Sequence, residues 1–267
     1  LSSGSELTMP IAIVNGRAPG PTLWLNGAVH GDEVNAFMVM RRLIAALDTE
    51  TLQGAVVFTP LSNPASVNWR SKINNLDWLE PYTVFKAHAG MAPDFSRDIE
   101  AMALSFGTKL NCRVDLATAT GEIAGGVNGG IDAACATEGI VAFMAEIGSG
   151  GDFQEGPIAA GVSGTQAVMA HLGMIRAEQD AVRVAGRKIV TKRSFAYADA
   201  AGMLVDCSPA GALVKAGELL CRIVDFFEDK EVVRASRDAL VIMSRRDPVV
   251  HEGDRLAFLA LEWQEIS

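Results

Sequence analysis

The segment from Thr22 to Leu61 constrains this chain more than any other. Thr22-Leu-Trp-Leu-Asn-Gly-Ala-Val29 is apolar and bounded by Pro21 and Gly31, as a buried strand is. From Val34 to Leu47, Phe37, Val39, Met40, Leu43, Ile44 and Leu47 fall mainly on one helical face, with Arg41 and Arg42 outside it. Ala55-Val-Val-Phe-Thr-Pro-Leu61 then reads as the next strand. Strand, helix and strand at this spacing make a βαβ unit, whose short connections and fixed hand call for a parallel sheet.

The rest of the first two-thirds continues in this style. Phe95 to Phe106 reads as a helix, Ile140-Val-Ala-Phe-Met-Ala-Glu-Ile147 as a buried strand running into Gly148-Ser-Gly-Gly151, and Ser163 to Leu172 as a helix stopped by Gly173. After about residue 186 the pattern changes to short β-prone runs at 8–12-residue spacing, as in a small all-β module. Two of its turns match: Val214-Lys-Ala-Gly-Glu and Val250-His-Glu-Gly-Asp each place a Gly between a strand end and a new apolar run. This pseudo-repeat resembles the barrel-sandwich hammerhead of lipoyl and biotinyl domains. Neither half carries their lysine-bearing attachment turn, so a structural relative is expected and not a cofactor carrier. The expected fold is therefore α/β: a mixed, largely parallel sheet with flanking helices over 1–185, plus a small C-terminal all-β module over 186–267.

Composition narrows the function classes. A net charge of -9 argues against nucleic acid as a partner, because a phosphate backbone is met by clustered Lys and Arg. No apolar run approaches the ~20 residues a membrane span needs. The opening Leu-Ser-Ser-Gly-Ser-Glu lacks the charged start and apolar stretch of a signal peptide. Cys112, Cys135, Cys207 and Cys221 form no CxxC pair, so reduced, mostly buried thiols are the default. The expectation is a cytoplasmic enzyme with no membrane or nucleic-acid partner.

The chemistry concentrates at His30 and Glu33. They lie just past the carboxyl end of a predicted central strand, where open α/β sheets place their sites. Residues three apart share a helix face, and zinc takes imidazole nitrogen and carboxylate oxygen. The pattern also fits a helix entry in which His30 caps and Asp32 and Glu33 complement the dipole. Glu146 favours the site: an ionised side chain in an apolar strand is costly without a partner, and a carboxylate before a glycine turn suits a general base. A strand-end Glu reaching solvent is the alternative.

At these residues the chain resembles the aspartoacylase/succinylglutamate desuccinylase family, a branch of the zinc carboxypeptidase-like hydrolases. The resemblance runs through Gly27-Ala-Val-His-Gly-Asp-Glu33, Thr59-Pro-Leu-Ser-Asn-Pro64 and Ala145-Glu-Ile-Gly-Ser-Gly-Gly151, then into Thr165 to Met174 and the β-rich module. It implies one zinc per chain held by His30 and Glu33, Glu146 as the base that activates water, and hydrolysis of a small anionic N-acylated amino acid or related amine. A peptide carboxypeptidase and a catalytically inactive binding homologue are the rivals, and a homo-oligomer is compatible with the resemblance. Asn63, Arg70 and Lys72 are the implied substrate-binding residues. Lys72 stands nearest the position where the family carries an Arg, and a point charge cannot reproduce Arg's fork.

Two family features are missing. Asn74-Asn-Leu-Asp77 leads toward an Asn-Arg pair that never comes, and the third zinc ligand, a His in an Asp-Leu-His strand, has no counterpart where it belongs. Aligning Val114-Asp-Leu-Ala-Thr118 there makes Ala117 a lost ligand. The preferred reading matches Trp78-Leu-Glu-Pro-Tyr-Thr-Val-Phe85 to the segment soon after that His. A block carrying the Asn-Arg pair, a helix and the third His is then absent between Asp77 and Trp78. If the chain is continuous there, His88 is the remaining nearby imidazole. His171, on the apolar face of a helix, and His251, in a turn, are read as structural.

Overall fold

A computed structural model describes residues 6–69, 76–78, 81–87, 91–115, 130–176 and 184–266. Arg70, Lys72, His88 and Ala117 lie outside the described residues.

The βαβ unit is present. Strand β2 (Ala18–Asn26) pairs parallel with β3 (Gln53–Thr59), and helix α1 (Asn35–Ala46) connects them. Strand β1 (Ala12–Asn15), absent from the sequence reading, adds antiparallel to the other side of β3. The resulting three-stranded sheet has the order β1-β3-β2, so the strand read as buried and central is an end strand among the described residues, and Trp24 on it is exposed. Val39, Met40 and Leu43 of α1 pack on Leu52, Val56 and Phe58 in one core. A fully buried side chain of this size contributes about 1.5–3 kcal/mol. Short helix α2 (Pro64–Trp69) follows β3.

A second sheet holds β4 (Leu76–Trp78), β5 (Tyr82–Ala87), β6 (Leu110–Asp115), β7 (Met144–Glu146), β8 (Arg187–Tyr197), β10 (Leu213–Val214), β13 (Ala239–Arg245) and β15 (Arg255–Ile266). Its order is β10-β13-β15-β8-β6-β5-β7, with β4 on β13. β5, β6 and β8 are mutually parallel where they pair, and the remaining pairs are antiparallel. Asp77 and Trp78 take successive register positions opposite Ser244 and Met243.

The strand expected over Ile140–Ile147 forms only at Met144–Glu146, and Ile140 and Met144 are exposed. Among the described residues β7 has a ladder partner on one side only, β5, so its apolar run is not covered on both edges. The helix expected from Ser163 extends further: α5 spans Glu155–His171. Its first turns are rich in glycine, which hides a helix from propensity. Tertiary packing explains them: a Cβ on Gly161 would meet Val39 Cγ2 at 2.7 Å and Ile147 Cδ1 at 3.0 Å, and one on Gly164 would meet the Phe106 ring at 2.7 Å. His171 ends this helix exposed, not on its apolar face. Helix α3 (Pro93–Ser105) covers the second sheet through Ile99 and Ala103 against Phe85 and Ile189, and α4 (Ile131–Thr137) precedes β7.

The C-terminal module adds an antiparallel sheet, β12-β11-β9-β14, from β9 (Gly202–Val205), β11 (Leu219–Val224), β12 (Asp229–Arg234) and β14 (Val249–Val250). The two matching turns are equivalent in detail. Gly217 and Gly253 hold φ of 84° and 85°, where a side chain is strained. Lys215 N–H donates to Glu218 Oε2 at 2.7 Å, and His251 N–H donates to Asp254 Oδ2 at 2.8 Å. Among the described residues no helix is long and apolar enough to cross a membrane.

Candidate active site

His30 and Glu33 sit in the connection between β2 and α1, and their side chains meet: His30 Nδ1 lies 2.8 Å from Glu33 Oε2. Both are partly exposed, at 40% and 30% of the side chain, so solvent reaches the pair. The connection is held by the loop after β3. Gly27 N–H donates to the Thr59 carbonyl at 3.0 Å, Ser62 N–H to the Gly27 carbonyl at 2.9 Å, and Ser62 Oγ to Asn26 Oδ1. Gly31 passes against the Ser66 carbonyl, where any Cβ would collide. The Gly of His-Gly-Asp-Glu is therefore a packing requirement.

Glu146 is the last residue of β7 and half-buried. The segment after it is bolted to the start of α1 by Asn35, which is 2% exposed. Asn35 Nδ2 donates to the Ile147 carbonyl at 2.8 Å and to Gln154 Oε1 at 3.2 Å, and Asn35 Oδ1 accepts from Gln154 N–H at 3.0 Å. Gln154 Oε1 also accepts from Ser149 N–H at 2.8 Å. A second tie runs from Gly151 N–H to the Asp32 carbonyl at 2.9 Å, and a Cβ on Gly150 would come within 2.8 Å of Asp32 Oδ2. The glycine turn thus lies directly on the loop that carries His30 and Glu33.

Tyr82 reports the same closeness electrostatically. It is the register partner of Glu146 across β5 and β7, and it is buried. Burial raises its hydroxyl pKa well above the usual value, and the Glu146 and Glu33 carboxylates both add to the rise. Cys112, also buried, has its thiol pushed up by desolvation, and Arg193 opposes that shift. Arg193 and Arg255 arrive from the C-terminal strands, stacked over the Phe258 and Phe195 rings at 5.6 Å and 4.5 Å.

Asn63 takes a local role: its Oδ1 accepts from Ser66 N–H at 3.0 Å, capping α2, whose first residue is Pro64. Asn35, Gln154 and Tyr82 were not reached by sequence reasoning. Asn35 carried one usable signal, an amide at the buried start of an amphipathic helix where an apolar residue would fit the face. Tyr82 carried none, because its partner lies 64 positions away.

Among the described residues no group of three or more His, Cys, Asp or Glu could hold a metal ion. His30 and Glu33 nevertheless fit two ligand positions. An imidazole nitrogen and a carboxylate oxygen facing each other within reach of solvent are donors that zinc takes.

Residues 19–77 match the Succinylglutamate desuccinylase/Aspartoacylase catalytic domain family. The N-alpha-acetyl-L-2,4-diaminobutyric acid deacetylase of Halomonas elongata is 34% identical over 62 residues, which is 23% of this chain and 18% of that protein. Among solved structures, the product-bound ectoine utilization protein EutE (DoeB) from Ruegeria pomeroyi superposes with a TM-score of 0.79 at 20% identity, covering 95% of this chain and 89% of its own. A succinylglutamate desuccinylase/aspartoacylase from Rhodobacter sphaeroides gives 0.77 at 19% identity, covering 97% and 90%. At such identities the structural likeness establishes the fold.

Proposed function

Because residues 19–77 carry the sequence of the succinylglutamate desuccinylase/aspartoacylase catalytic domain and the chain has the fold of that family, we propose that this protein is a zinc-dependent deacylase of small N-acylated amino acids or related amines. The observation that carries this reading is the His30–Glu33 pair at 2.8 Å, on a loop tied directly to the segment that follows Glu146. The deacetylase from Halomonas elongata, 34% identical over 62 residues, supports the substrate class.

His30 and Glu33 would hold the metal. Zinc, when bound, supplies a Lewis acid for the scissile carbonyl and a source of hydroxide at neutral pH. Glu146 accepts a proton on its carboxylate and returns it to the leaving amine. Its half-buried position keeps it partly desolvated beside Tyr82, yet open to substrate. Arg70 or Lys72 orients a substrate carboxylate, and Asn63 helps shape that side of the pocket by fixing the start of α2.

We place the third ligand in a block absent from this sequence between Asp77 and Trp78, which β4 joins directly here; His88 is the alternative if that junction is native. Two observations support this. The family match ends at Asp77. In addition, β2 and β7, the strands leading to His30 and to Glu146, are both end strands of their sheets among the described residues. Both pack on the same helix: Leu23 of β2 and Ala145 of β7 share a cluster with Val168 of α5. A further strand between them would deliver a ligand to the same end of the sheet.

The test begins with sequencing the native protein across Asp77 and Trp78: a block there carrying a His supports the reading, and a direct Asp77–Trp78 bond overturns it. That protein, purified without chelator, should hold about one zinc per chain. It should also hydrolyse an N-acetyl amino acid in preference to a peptide. Glu146→Gln should keep the zinc and abolish turnover. Substantial residual activity in that variant would overturn the base assignment, and absence of zinc from the native protein would favour an inactive binding homologue.

A further inference from the structure

Cys207 and Cys221 stand outside the candidate site, in the C-terminal module, yet the chain brings them together by a specific irregularity. Val205 of β9 opposes Arg222 of β11 in an antiparallel ladder. Without interruption that register would set Cys207 opposite Leu220. Asp206, however, holds a left-handed φ of 52°. The extra residue slips the pairing by one, so that Ser208 N–H donates to the Leu220 carbonyl at 2.7 Å and Ser208 Oγ to the Leu219 carbonyl at 2.6 Å. In the slipped register Cys207 opposes Cys221, next to the Ser208–Leu220 bond. Such a position is a non-hydrogen-bonded pair, the closest cross-strand spacing, with Cα atoms about 4.5 Å apart. That lies within the range a disulfide spans. Both thiols are free, Cys221 is 2% exposed, and Cys207 packs half-buried against the same core cluster.

We propose that Cys207 and Cys221 are an oxidative modification site, closing to a reversible intramolecular disulfide under a peroxide-class oxidant. The more exposed Cys207 reacts first. Its thiolate attacks one peroxide oxygen, the O–O bond breaks, and the departing hydroxide takes up the proton the Cys207 thiol released on ionising and leaves as water, giving a sulfenic acid on Cys207. The Cys221 sulfur then attacks the Cys207 sulfur, the S–O bond breaks, and the departing hydroxide takes the Cys221 proton. Two thiols and one hydrogen peroxide give one disulfide and two waters. The division of roles matches the ionisation: contact with the Cys221 thiol lowers the Cys207 pKa, while contact with Cys207, reinforced by burial, raises that of Cys221. The product cross-links the turn after β9 to β11 across 14 positions.

The experiment titrates the full chain with hydrogen peroxide and follows free thiols and mass. Free thiols should fall from four to two, with a mass lower by two hydrogens. Trypsin without reductant should release Ser194–Lys215 joined to Ala216–Arg222, and dithiothreitol should separate them. In Cys221→Ser, dimedone should label Cys207. If that variant does not fold, the wild-type peptide map decides alone. Oxidation confined to Cys112 or Cys135, oxyacids at Cys207 with no bridge, or a disulfide between two chains would each overturn the proposal.

Discussion

Asn35 shows how one side chain can fix a site it does not itself form. It donates to the Ile147 carbonyl and to Gln154, and it accepts from the Gln154 amide, all from a position 2% exposed. Removing it leaves a carbonyl and an amide with buried, unmet hydrogen-bonding capacity, each costing about 1–3 kcal/mol. Asn35→Ala should therefore destabilise the protein by about 2–4 kcal/mol, read as a lower urea midpoint with an unchanged m-value. Glu146 is the contrasting case. None of the Asn35 hydrogen bonds is to its side chain and Gln is its isostere, so Glu146→Gln should leave the unfolding free energy within about 0.5 kcal/mol of wild type. A much larger loss would mean that Glu146 is structural.

At the scale of elements, α5 is the member that joins the two sheets, and it does so through glycine. Gly161→Val would place methyl groups where Val39 and Ile147 already stand. Although Gly costs a helix about 1 kcal/mol relative to Ala, overpacking outweighs that gain. The variant should lose about 1–3 kcal/mol, measured by chemical denaturation. The other end of the α1–α5 contact is electrostatic: Arg42 donates from both Nη atoms to Glu155 at 2.6 Å and 2.7 Å. Hydrogen bonding to Arg42 lowers the Glu155 pKa. A carboxylate depressed on folding contributes stability above its ordinary pKa and loses it as pH falls through the lowered one. The stability gap between wild type and Glu155→Gln should thus be present at neutral pH, shrink with added salt, and vanish in acid.

At the scale of the whole molecule, the two regions of different sequence character share a sheet. β8 pairs parallel with β6 through Lys188, Ile189 and Val190 and antiparallel with β15 along most of its length. Asn111, fully buried, knits this seam: it accepts from Thr83 Oγ1 at 2.7 Å and from Thr108 Oγ1 at 3.0 Å, and it donates to the Lys188 carbonyl at 3.4 Å. A fragment ending at residue 185 would leave β6 with an open edge and uncover Val84, Cys112 and Val114. It should show no cooperative urea transition and should bind a hydrophobic dye. A cooperative transition in that fragment would mean that 1–185 folds alone.

Local pattern alone placed the β2–α1–β3 unit, the helix at Phe95, and the twin turns at Gly217 and Gly253. Each rests on interactions between residues close in sequence: apolar periodicity, a left-handed glycine, a capping carboxylate. The same pattern marked His30, Glu33 and Glu146 because charges in apolar surroundings stand out. It did not reveal the glycine-rich start of α5, the shortness of β7, or the pairing of Tyr82 with Glu146. Those depend on which strand lies beside which. A strand's extent is set by the neighbours that satisfy its backbone, and a glycine's place in a helix by what presses against it. Pairings across 64 or 112 positions leave no periodic trace in the chain, so they were decided only when the sheets assembled.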